Sequence, residues 1–473
     1  MALPRIDKPL GGIANNIRTA TIRGLNIAEI DYIPDRYDPN NGLRRMVSAE
    51  IVVEHRGFGT AEQDSRLYHP TYARLFRAIL VNPDAALPEK ASFDVEEWDT
   101  SDGAEILVVT YPSFEDDLQP WIDWKILMGM PTIVVSTSVT GMLKTEIKNY
   151  IQTAYDTWDI PPAFVLFVGD LGDGQVATRG DPCIGDNEYG CVDGTDQYPD
   201  VFPGRFACDT EAQVRLFCEK HLNYEMRPDT TDDWTLRSVE VVREEDCPFD
   251  PHGPTDSSYL ASVNYMLDRC DLAGFVSTEL FTKCSGDNSS TVQPYIAAGC
   301  NFVLFRGQGV SDWWDPFSGL QRLPTGNKCP IIVSITCGMG DFRGGDFRPC
   351  ETSTRVRTVA MPRGSVAYMG QSALSSNSLE RSSLSKNIFK GFFEAELNEL
   401  AAAHTYGKIE MLTEFGGASD TNYEYTTAPI RSPDLDYISG VPVGPGPVDF
   451  EIDVHSSGSP VDGAPSSRAV PRT

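Results

Sequence analysis

The chain has 473 residues, 41% of them hydrophobic and 23% charged, which is enough apolar material for a sizeable core and too much for wholesale disorder. At roughly 100–200 residues per domain, this length suggests two to four structural units. Its 39 Lys and Arg against 68 Asp and Glu give a net charge of −29, which repels a phosphate backbone, argues against nucleic-acid binding, and suits cations or basic substrates.

The opening residues, MALPRIDKPLGGIANN, hold no apolar segment of a secretory signal, and no window of ~18 uninterrupted apolar residues marks a membrane span. A cytoplasmic chain and an internal piece of a longer secreted precursor both fit. Residues 19–55 alternate in polarity around Asn40-Asn41-Gly42, the signature of a hairpin. Residues 1–99 are therefore expected to be a small β-rich unit followed by a helical, Pro- and Asp-punctuated connector.

From residue 100 short apolar runs alternate with helical stretches. Strands are expected over 104–111, 131–137 and 164–170, with helices over 115–129, 143–158 and 210–226. A second round follows, with SVEVVREE, NFVLFRGQG, PIIVSITCGMG and GSVAYMGQS as strands and SSYLASVNYMLDRC as a helix. Fully apolar strands separated by helices indicate mainly parallel sheets flanked by helices, an α/β fold. Two tandem subdomains are expected, 100–226 and 227–437, with a Pro-, Gly- and Ser-rich segment at 438–473 that reads as a linker into a truncated β-domain or as a disordered end.

In such sheets ligands bind beyond the carboxyl ends of the strands. Three strand ends carry polar residues. In PIIVSITCGMGDF, Cys337 follows the strand directly, with Gly338 and Gly340 behind it; it reads either as a nucleophile beside backbone N–H donors or as a small buried hydrophobe. In NFVLFRGQGVSDWWDPF, Gly307-Gln308-Gly309 is either a functional turn or only a tight one. The segment GDNEYGCVDGTDQYPDVFPGRF (185–206) is rich in Asp and Gly, and reads as a calcium loop or as an acidic loop of Asx turns.

Taken in order over most of residues 100–410, these segments resemble the gingipain family of cysteine peptidases. TYPSFEDDLQPWIDWKILMG, VLFVGD, DNEYGCVDGTDQYPDVFPGRF, YIAAGCNFVLFRGQG and ITCGMGDFRGGDFRPCE carry the likeness, and YDPNNGLRRMVSAEIVVEH is similar to the end of the family's propeptide. The resemblance implies a caspase-like fold of two subdomains in an extracellular or cell-surface endopeptidase, often calcium-binding. By the same likeness Cys337 matches the nucleophile that forms an acyl-enzyme. Gly309 and the amide of Cys337 fall where the family holds the oxyanion. Asp256 matches an acid that binds a basic substrate side chain, which implies a protein or peptide substrate with Arg or Lys. Trp313 is a further expected substrate contact. Glu244, or Glu245 in the neighbouring register, falls near the acid that orients the catalytic His. No cofactor is needed for the chemistry; a structural calcium is expected at Asp186, Asp193 and Asp196. Oligomeric state stays open.

The catalytic His of the family falls on Gln308, which has no titratable nitrogen and can neither take the thiol proton nor give one to a leaving amine. Two functions follow: a cysteine endopeptidase cleaving after basic residues, or a pseudopeptidase that keeps the groove as a peptide-binding or scaffold module. Of the six histidines, His252 in DPHGPTD is the expected substitute base if there is one. A family Gly-Asp-Pro segment is replaced by TTAPIRSPDLDY (426–437). Setting Cys337 aside leaves ten cysteines for up to five disulfides, with Cys183–Cys191 as a plausible local pair; Asn288-Ser289-Ser290 is a glycosylation sequon.

Overall fold

The computed structural model describes residues 14–32, 64–87, 98–171, 176–178, 185–248, 253–323, 325–342, 348–372 and 377–416, together with the short strands Asp35–Asp38, Gly42–Arg45, Ala49–Val53, Glu424–Thr426, Ile452–Ser456 and Arg468–Ala469. The chain begins with a hairpin, β1 (Ala14–Ile22) against β2 (Leu25–Tyr32), paired Ile22 to Leu25. Its two-residue turn, Arg23-Gly24, has positive φ at both positions, 46° and 79°, which matches the strand twist. The alternating run from residue 19 therefore folds back at Gly24 instead of running on to Asp38. The expected hairpin around 39–41 is also present, Asp35–Asp38 pairing antiparallel with Gly42–Arg45.

A four-stranded sheet follows, in spatial order β4 (Thr132–Ser136), β3 (Ile106–Thr110), β5 (Phe164–Val168), β6 (Phe202–Phe206), parallel throughout. Every residue of β3, β5 and β6 is buried, as expected where helices cover both faces. Strand β6 is a correction to the reading of 185–206 as one loop. Pro203 and Gly204 disguise it, and it tolerates them because it lies at the edge of this sheet. Helices α1 (Pro70–Ile79), α2 (Gln119–Leu127), α3 (Lys144–Thr157) and α4 (Glu211–Glu225) belong to this half.

The second sheet has six strands in the order β8 (Ser277–Thr282), β7 (Arg237–Val242), β9 (Phe302–Arg306), β10 (Ile331–Ser334), β11 (Ala367–Gln371), β12 (Glu424–Thr426). The first five are parallel and β12 is antiparallel to β11. Helix α5 (Pro254–Leu272) packs against α8 (Ser378–Phe393), which packs against α9 (Leu400–Phe415); α6 (Ser289–Ala298) and the short α7 (Pro349–Thr354) complete this half. One continuous apolar cluster runs through both sheets, from Ile106 and Phe206 to Phe302 and Phe389.

Polar locks also join the halves. The ammonium of Lys220 on α4 donates to the carbonyls of Thr354, Arg363 and Ser365 at 2.5–3.0 Å. Arg355 reaches Asp209 at 2.7 Å and Asp170 at 3.4 Å. The tail strand Ile452–Ser456 pairs parallel with Ala49–Val53. No described helix is long and apolar enough to cross a membrane.

Candidate active site

The carboxyl ends of β7, β9 and β10 bring three loops together, and the first turn of α8 lies over them. Cys337 follows β10 by three residues and is half-buried. The chain bends there because Gly338 takes φ +66° and because the Gly340 N–H donates to the Gln371 carbonyl at 2.8 Å, a backbone approach that a side chain at 340 would block. Gly309 packs as closely: a Cβ there would meet the Asp312 carbonyl and the Met339 methyl at 2.7 Å. The Gln308–Gly309 turn is thus pressed onto the Cys337 loop. Among the described residues neither the Gly309 nor the Cys337 N–H is taken by a backbone acceptor.

Gln308 ends the β9 segment with its amide nitrogen donating to the Tyr259 hydroxyl at 3.4 Å. Tyr259 is buried on α5, and burial raises its pKa while Arg306 draws it back. Arg306, the last residue of β9, is fully buried: it donates to the Ile335 carbonyl, to Ser382 Oγ at 2.8 Å and to the Ser378 carbonyl at 3.4 Å, and its guanidinium lies 4.9 Å from the Tyr259 ring centre. Burial pushes Arg306 down to about 9. Arg381, in the first turn of α8, donates to the Cys337 sulfur.

Several expected site residues stand elsewhere or in other roles. The Glu244 carboxylate accepts from the Cys284 N–H at 3.3 Å. Glu245, the alternative register, acts electrostatically on Tyr259 and pairs with Arg243 at 3.4 Å. Asp256 is buried in the first turn of α5, where it accepts from the N–H groups of Glu245 at 2.8 Å and Asp246 at 3.4 Å and so shapes that loop. Trp313 is a correction: it is buried, stacked 4.3 Å from Phe305 and bonded through Nε1 to Ser334 Oγ at 3.1 Å, so it is core. The bridge between Gly309 and Trp313 turns that side chain inward and leaves Trp314 exposed beneath Arg243.

The three aspartates expected to hold calcium do not form one ligand set. Asp186 is gripped by Arg205 at 2.7 and 2.8 Å, Asp193 accepts from Gly24 N–H at 2.9 Å, and Asp196 from Thr21 N–H at 2.8 Å and Tyr198 N–H at 2.9 Å. No group of three His, Cys, Asp or Glu able to hold a metal occurs among the described residues. The three carboxylates are spent in separate contacts and are not gathered round one point, with Asp186 neutralised by Arg205; Asp193 and Asp196 hold the hairpin turn, whose Arg23 is buried over Tyr72.

His69 caps α1 and lies 3.5 Å from Glu105, His221 is buried edge-on against Phe206, and His404 is buried in α9. Burial drives His221 and His404 well below the ordinary imidazole range. None of the three belongs to the loops meeting at Cys337. His252 and His55 lie outside the described residues, as does Cys183. Cys191 is a free thiol, and the one disulfide among the described residues joins Cys247 to Cys284. Six of the remaining free thiols are buried in the cores, which corrects the expectation of up to five bridges among the described residues. Asn288 caps α6, accepting from Ser290 N–H at 2.9 Å. Sequence reasoning missed Tyr259, Arg381 and the role of Arg306; the one signal available was a charged residue closing an otherwise apolar strand.

Parallel sheets covered by helices, with a thiol beyond the carboxyl end of one strand, define an α/β fold, and the chain belongs to peptidase family C25, whose model matches residues 99–429. Among its relatives, Gingipain R2 of Porphyromonas gingivalis is 23% identical over 378 residues, which cover 76% of this chain and 48% of that protein. Lys-gingipain HG66 of the same organism is 24% identical over 370 residues, covering 74% of this chain and 20% of that protein. The chain thus spans half or less of the length of these relatives. Among solved structures, that of the Arg-specific cysteine proteinase gingipain R superposes with a TM-score of 0.62 at 19% identity, over 72% of this chain and 80% of that one.

Proposed function

We propose that this domain binds peptide segments bearing arginine or lysine in a gingipain-like groove, and that it cleaves their amide bonds orders of magnitude more slowly than a site with a histidine. The observation that carries this reading is Gln308. It occupies the strand end beside the Cys337 loop, and its amide donates to Tyr259. An amide nitrogen neither takes a proton from a thiol nor gives one to a departing amine, and such proton transfers contribute about 10²–10⁴-fold. The basic preference draws on the names of the Arg-specific and Lys-specific relatives, on the net charge of −29 and on the Asp256 carboxylate buried beside the loop after β7. The Cys247–Cys284 disulfide, which ties that loop to the turn after β8, supports an extracellular or cell-surface location.

The test is binding without turnover. Purified full chain titrated with an arginine-bearing peptide should bind it and return it intact after prolonged incubation, and a peptide with glutamine in place of arginine should bind at least about tenfold more weakly. Rapid cleavage that is lost in Cys337→Ala would overturn the proposal. Equal affinity for the two peptides would remove the basic preference.

A further inference from the structure

We propose that Arg381 is the charge partner of Cys337, and that the pair takes acyl groups from donors whose leaving group departs without a proton, thioesters and activated esters, to form an acyl-enzyme that persists. This rests on the reading of Cys337 as a nucleophile given above.

Two guanidiniums are buried in the cluster around this sulfur. Arg306 is fully buried and Arg381 is 5% exposed. The partners of Arg306 are two carbonyls, a serine hydroxyl and a tyrosine ring, all neutral. Among the described residues no carboxylate forms an ion pair with either arginine, and the Nε of each lacks a hydrogen-bond partner. The acceptor for Arg381 is the Cys337 sulfur. A buried cation without an anion is costly, and each such charge in a protein interior is normally paired. Gln308 cannot carry a negative charge; the sulfur can. An anion formed at the sulfur meets the Arg381 guanidinium directly, so the site keeps the attacking half of the chemistry while lacking the proton-transfer half.

The balance of the step selects the donors. The Cys337 thiol gives its proton to bulk water, its thiolate sulfur attacks the acyl carbon, a carbon–sulfur bond forms, the bond to the leaving atom breaks, and that atom departs with its electron pair. A departing thiolate or phenolate is stable in water as it leaves. A departing amine is not, and Gln308 has no proton to give it. Release of the acyl group by water requires a base to take a proton from the water, which Gln308 cannot do either. The N–H groups of Gly309 and Cys337, neither of which has a backbone acceptor among the described residues, would serve the acyl oxygen in both cases.

The experiment uses the full chain with a peptide ending in an arginine benzyl thioester, following released thiol and the intact protein mass, beside the same peptide as an anilide. A burst of one equivalent per chain is expected, with the acyl mass on Cys337, no burst in Cys337→Ala and none from the anilide. Arg381→Met should slow the burst at least about tenfold, the scale of one charge-assisted hydrogen bond, and Arg381→Lys should restore most of it. An Arg381→Met variant as fast as the folded wild type would overturn the charge-partner role. Absence of an adduct, or continuous thioester turnover, would overturn the persistent acyl-enzyme. If Arg381→Met does not fold, the wild-type burst and Arg381→Lys still decide the matter: a lysine variant without a burst, in a folded chain, counts against the proposal. Rapid anilide turnover would instead sink the slow-amidase reading, whatever the arginine variants do.

Discussion

Each sheet places a fully buried arginine at or next to the end of one strand, and the two are neutralised differently. Arg205 in β6 donates to both oxygens of Asp186 and to the carbonyls of Gly169 and Val176, at 2.7–2.9 Å. Burial works against its charge, and Asp186 more than compensates, holding it above the ordinary value. Arg306 at the end of β9 has carbonyls, a hydroxyl and a ring but no carboxylate among the described residues, and burial takes it down to about 9. The first arginine is a closed structural lock. The second belongs to a cluster with surplus positive charge facing a thiol. The same strand architecture thus yields a sealed end in one half and a chemically open end in the other.

That contrast can be broken by mutation. Asp186→Asn leaves Arg205 buried without its counter-ion and should cost about 3–5 kcal/mol in chemical denaturation; a loss below about 1 kcal/mol would mean that the carbonyls alone hold Arg205. In the second half the next expected effect is on binding. Asp256→Asn keeps one acceptor oxygen for two N–H groups, so affinity for an arginine peptide should fall about tenfold by titration calorimetry. Unchanged affinity would confine Asp256 to shaping the loop.

Arg306→Met should cost about 1 kcal/mol or less at pH 7, because lost hydrogen bonds are offset by relief of a buried, unpaired charge. The pH dependence has a definite sign. The folded state releases the Arg306 proton near 9 whereas the unfolded chain keeps it to much higher pH, so between these values the unfolded state binds more protons and stability rises with pH. Wild type should therefore gain roughly 1 kcal/mol on Arg306→Met between pH 7 and pH 10. A gap that stays flat would mean that Arg306 remains charged, paired by the Cys337 sulfur through the cluster.

Most of the fold was legible because β3, β5, β9 and β10 are uninterrupted apolar runs bounded by polar turns. Strand β6 was hidden by Pro203-Gly204, and α8 by its serines, which have weak helical preference until Phe389, Phe392 and Phe393 bury one face. The positions of Cys337 and Gln308 just beyond β10 and β9 were legible because the apolar runs stop there, where parallel sheets place ligands. Arg381 and Tyr259 were not, since each lies more than forty residues from its partner and nothing local marks either. Trp313 was misread because strand-end geometry, not composition, decides which of two adjacent tryptophans faces the core.

The central claim, that Gln308 separates attack from proton transfer at this site, is tested most directly by kcat/KM for an arginine anilide in wild type, Gln308→His and Gln308→His with Cys337→Ala. The account predicts a gain of at least about 10²-fold in Gln308→His, abolished when Cys337 is also removed. Wild type already turning over as fast as Gln308→His, in a Cys337-dependent way, would contradict it.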